Sequence, residues 1–93
     1  MTDFRASLND AAPDPALSSQ LAALWWARKG DWDQAHRIVM NESDANSAWV
    51  HAYLHRVEGD LGNAGYWYGQ AGQPVAKDTV EAEWERIVSA LLA

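Results

Sequence analysis

Cysteine is missing from the chain altogether, which excludes disulfides, thiolate metal sites and a cysteine nucleophile. Basic residues are scarce: seven Lys and Arg stand against thirteen Asp and Glu, for a formal charge of −6, and they form no cluster. Phosphate binding needs a basic patch, so nucleic acid and anionic membranes are poor candidate partners. No apolar run approaches the ~20 residues that a membrane-spanning helix requires. Met1 to Asp10 lacks the basic start and apolar stretch of a signal peptide, so the expected location is the cytoplasm. Nucleophile elbows, phosphate-cradling glycine loops and dinucleotide-binding patterns are likewise absent, and the glycines are read as helix-end residues explained by turn chemistry. No catalytic residue is therefore assigned and no cofactor is expected.

What remains is a globular composition, 48% hydrophobic and 22% charged over 93 residues, which allows one domain with one modest core. Six tryptophans are more than such a core needs. Either they supply bulk between thin helices, or one or two stand in an open groove and hold a ligand or partner.

Gly, Pro and Asp punctuate the chain into helices. Asp14-Pro15 reads as a helix start, and Leu17, Leu21, Leu24, Trp25 and Arg28 continue at helical spacing, which predicts a helix over 15–29. Gly30 ends it and Asp31 caps a second helix, Trp32 to Met40, with Trp32, Ala35, Ile38 and Val39 on one side. A third helix, Ala45 to Glu58, carries Trp49, Val50, Tyr53, Leu54 and Val57; Gly59 stops it, and Asp60 opens a fourth, Leu61 to Ala71. Asp78 and Glu81 form a capping box for a last helix over about 78–92, with Val80, Trp84, Ile87, Val88 and Leu91 on one face. Residues 1–13, with only Phe4 and Leu8 as anchors, are expected to form a loosely held arm.

Sliding the chain by 29 positions brings Gly30-Asp31 onto Gly59-Asp60, Ala23 onto Ala52 and Ala35 onto Ala64. A sharp Gly-Asp turn folds each helix back on the next, and a small Ala lets the backbones approach. Neither hairpin can bury its apolar stripe alone, so the fold class expected for 14–93 is all-α: two stacked antiparallel hairpins, about 15–41 and 45–72, and a C-terminal capping helix. Within the second hairpin, Gly59, Ala64, Tyr68 and Ala71 occupy the Gly-Asp turn, alanine, aromatic and alanine places of a tetratricopeptide repeat, which this segment resembles. Gly30, Ala35 and Val39 match less well, with Glu42 at the last alanine place; the period is 29 instead of the family's 34, and His51 and His55 replace the family's Leu and Tyr. The resemblance implies a scaffold for a protein or peptide partner, with the first helix of each hairpin lining a concave surface.

His51, His55 and Glu58 are the one cluster with chemical content. At about 100° per residue they share a side of the third helix, roughly opposite its apolar residues. A His pair four apart can present two imidazoles to one metal ion, with the carboxylate as a third ligand, though the general base of a His-Glu-x-x-His pattern is missing. The same histidines could instead be hydrogen-bonded inside a helix contact, or line a groove with Trp26, which aligns with His55 in the repeat. The sequence thus supports a partner-binding module contacting its partner through His51, His55, Trp26 and Glu58. The alternative is a small-ligand or metal-binding protein, hydrolytic if His51, His55 and Glu58 do metal or acid-base work. Tyr66, Trp67 and Tyr68 form a second aromatic concentration. Consecutive helical residues cannot share a face, so at least one points outward, and the trio is the candidate interface of a homodimer.

Overall fold

The structure, a computed structural model, describes residues 2–93. The described residues are helical throughout their regular structure: α1 (Thr2–Ala6) followed by a 3₁₀ turn (Ser7–Asn9), α2 (Ser19–Arg28), α3 (Trp32–Val39), α4 (Ala45–Glu58), α5 (Leu61–Ala71) and α6 (Val80–Leu92). α2 and α3 form one antiparallel hairpin, α4 and α5 a second, and α6 packs across α2 and α4. No helix among the described residues is long and apolar enough to cross a membrane.

The two hairpins turn by the same device. Gly30 and Gly59 both adopt φ 89°, a left-handed conformation open to glycine at no steric cost. The residue after each donates back five places, Asp31 N–H to the Trp26 carbonyl at 3.0 Å and Asp60 N–H to the His55 carbonyl at 2.9 Å, closing a Schellman motif. The same aspartates then cap the next helix, Asp31 accepting from the Gln34 amide and Asp60 from the Asn63 amide. Each helix end and the following helix start thus share two residues. The alanines that the 29-residue alignment pairs, Ala23 with Ala52 and Ala35 with Ala64, are all buried at helix contacts.

Two predicted helix starts move. α2 begins at Ser19, not at Pro15, because Ser18 is extended and its hydroxyl accepts from the Leu21 amide. Asp14 closes a separate turn, its carboxylate accepting from the Ala16 amide and its carbonyl from the Leu17 amide. At α6 the cap is Thr79, accepting from the Ala82 amide, and not Asp78; Asp78 instead takes two donors from Arg86 and, through its carbonyl, one from Arg56. Gly65 lies in the middle of α5 and not at a helix end, with Gly62 in the first turn of that helix and Gly69 in the last. In the N-terminal segment, expected as a loose arm, Phe4 is buried against Trp84 and Ser7 accepts from the Trp25 indole at 3.1 Å.

α4 is central, and Ser47 through His55 are all buried, so it has no solvent face along that stretch. Tryptophans fill the space around it with their donors satisfied: Trp84 donates to the Leu24 carbonyl at 2.8 Å and Trp32 to the Leu54 carbonyl at 2.6 Å. α6 is locked by a buried polar knot. Glu83, wholly inaccessible, accepts from the Tyr68 hydroxyl at 2.5 Å and from Arg56 at 2.9 Å. Burial, then that hydrogen bond to Glu83, pushes the Tyr68 phenol above its ordinary range.

Glu83→Ala leaves the Tyr68 hydroxyl buried without an acceptor and Arg56 short of a partner. It is expected to cost about 3 kcal/mol of unfolding free energy, and Glu83→Gln, which keeps an acceptor, is expected to cost less. Urea denaturation checks both; an unchanged midpoint for Glu83→Ala would mean that the knot adds nothing.

Candidate functional site

The chain has three histidines, and the fold brings them together where the second hairpin stacks on the first. His51 and His55 lie one turn apart on α4; His36 comes from α3. His36 Nε2 and His51 Nε2 face each other at 3.1 Å, and one ligand nitrogen from each of the three rings lies within 4.8 Å of the others. Two imidazole nitrogens sharing a tetrahedral zinc at its usual bond length are about 3.3 Å apart, so the first pair already stands at ligand spacing.

Aromatic rings hold the three in place. His36 stacks on Trp32 with centroids 4.7 Å apart, one turn earlier on the same face of α3. His51 lies between His55, at 4.8 Å, and Trp67 of α5, at 4.0 Å. Trp32 also meets the edge of His55. His51 and His55 are 5% and 6% exposed, while His36 is half-buried and marks the open side.

Hydrogen bonding distinguishes the rings. His55 Nδ1 lies 2.6 Å from Glu58 Oε1, a contact three residues along the helix, and the Glu58 side chain is 38% exposed. His51 Nδ1 is buried with no hydrogen-bond partner. Burial, then the neighbouring His55 and His36, lowers His51 from the usual imidazole range to about 4. His36 is lowered too, by burial and then by His55, against the opposing pull of Glu58 and Asp33. Neutral imidazole is the form that binds a metal, and desolvation keeps His36 and His51 in it.

The structure therefore brings together His51, His55 and Glu58, but in different roles from those read in the sequence. Glu58 sits behind His55, not beside it, and the third ring is His36, which sequence reasoning missed. Its signal was a spacing: Trp32 and His36 are four apart on α3, as His51 and His55 are on α4. Trp26 is not part of the group; its aromatic contact is with Trp25 at 4.9 Å. The trio of α5 divides, with Tyr66 59% exposed, Trp67 half-buried on His51 and Tyr68 buried on Glu83. Asp60, which stands with His55 and Glu58 in a second group of close donors, is occupied as the cap of α5.

Compared with protein-family models, with curated proteins and with solved structures, the chain finds no match in any of the three.

The metal-free protein is expected to lose stability on acidification in a defined window. Above the ordinary histidine value His51 is neutral both folded and unfolded, so its contribution is constant. As the pH falls through about 6.5 the unfolded chain takes up a proton that the folded one refuses, and stability drops until His51 itself titrates near 4. The loss is up to about 3 kcal/mol. Thermal unfolding between these limits reads it, and a His51→Gln variant whose pH dependence equals that of the wild type would show that His51 is not the source.

Proposed function

We propose that the protein binds a divalent transition-metal ion, zinc first among them, through His36, His51 and His55. The observation that carries this reading is the convergence of every histidine of the chain, from two different hairpins, on one point with nitrogens at or near ligand spacing. The donor set narrows the metal. Imidazoles without thiolate suit zinc, copper or nickel, and the hard oxygen sites of magnesium and calcium are chemically remote from it. Three protein ligands leave a fourth position for water or a partner's side chain. The Glu58 carboxylate is taken up by His55 Nδ1, which supplies no general base for that position, so the reading stops at binding and does not extend to hydrolysis.

The alternative of a partner-binding scaffold, to which the repeat pattern pointed, has less geometry behind it. α6 lies across the first helices of both hairpins, with Trp84 donating to the Leu24 carbonyl and Arg28 over the Trp84 ring at 5.3 Å. The face those helices share is covered by the chain itself.

Titration of the purified protein with Co(II) and with Zn(II) is expected to end at one equivalent, with the visible absorption of a low-coordinate Co(II) site. His36→Ala, on the half-exposed ring, is expected to weaken binding by about 100-fold or more while leaving helical circular dichroism intact. A wild type that binds no more tightly than this variant would sink the proposal.

A further inference from the structure

We infer that Glu58 is the positioning residue of this site: by accepting Nδ1–H of His55 it fixes that ring as the tautomer with its free lone pair on Nε2, the nitrogen left to join His36 and His51 at a metal. The inference deepens the metal-binding reading and rests on it for its purpose, but the tautomer it specifies belongs to the metal-free protein and can be measured there.

Four observations carry it. The first is the geometry: the 2.6 Å contact of Glu58 Oε1 with His55 Nδ1 occupies one ring nitrogen and leaves only Nε2 free. A carboxylate accepts and cannot donate, so at neutral charge the proton of His55 sits on Nδ1. The second is confinement. The ring is held edge-on to Trp32 and His36 and stacked on His51, which fixes its place in the cluster. The third is contrast: His51, four residues earlier on the same helix, has no partner for Nδ1, so α4 carries one tautomer-locked imidazole and one unlocked.

The fourth is placement. Glu58 is the last residue of α4, where the helix macrodipole disfavours a carboxylate, so helix stability does not account for it. A carboxylate behind a ligating histidine orients the ring and raises its basicity, and removing such a partner typically costs 10- to 100-fold in metal affinity.

The test has two readouts on the same samples. Nitrogen-15 NMR of the histidine rings, in metal-free protein at mildly alkaline pH, is expected to show His55 protonated at Nδ1 in the wild type and mainly at Nε2 in Glu58→Ala. Glu58→Gln, whose amide oxygen can still accept, is expected to keep the Nδ1 form. Competition with a chromophoric chelator is expected to place Zn(II) affinity 10- to 100-fold lower in Glu58→Ala and closer to wild type in Glu58→Gln. Three results overturn the inference: a wild-type His55 carrying its proton on Nε2 or on both nitrogens, a tautomer unchanged by Glu58→Ala, or complete loss of Zn(II) with the tautomer unchanged, which would make Glu58 a ligand. A wild type that binds no Zn(II) but shows the Nδ1 form and its loss in Glu58→Ala would defeat the metal reading and leave the positioning role standing.

Discussion

A helix enclosed on all sides must find a partner inside the protein for each polar group it cuts off from water, and α4 is buried from Ser47 to His55. That constraint organises the domain. Ser47 is satisfied by Asp44, Glu42 and Gln20, which stitches the turn between hairpins to the start of α2. Arg56, just past the enclosed stretch, reaches Glu83 and so fixes α6. His55 finds Glu58 and His51 finds His36. Burying an unpaired polar group costs about 1–3 kcal/mol. The neighbours of α4 are thus chosen by what its side chains need as well as by the apolar area they cover.

Among the described residues, His51 Nδ1 is the one side-chain polar atom cut off from water without a hydrogen-bond partner, and it lies in the histidine cluster. Proteins tolerate such groups where a function depends on them. Two rings on one helix, kept neutral by desolvation in one case and oriented by a carboxylate in the other, form a set of donors that costs stability to keep.

How much of this was legible in the sequence depends on how far apart the interacting residues lie. The Gly30-Asp31 and Gly59-Asp60 turns, the hairpins and the final helix were readable because glycine in the left-handed region and aspartate at a cap act on neighbours within six residues. The start of α2 was misplaced because Asp14 and Ser18 are both capable caps, and local chemistry does not choose between them. His36 was invisible for a different reason: its contact with His51 spans 15 residues and depends on how the hairpins stack. Trp26 was grouped wrongly by treating the two repeats as equivalent. His55 faces Trp32 and His36 of the first hairpin, whereas Trp26, at the corresponding place on α2, meets Trp25.

The bond from the Trp84 indole to the Leu24 carbonyl spans 60 residues and ties the last helix to the first hairpin. Solenoids lengthen by inserting another unit, since each touches only its neighbours. Here an added 29-residue unit ahead of α6 would carry that helix off α2, stranding a buried indole and uncovering the inner face of the first pair. The same bond that seats α6 thus works against lengthening the stack between the second hairpin and that helix.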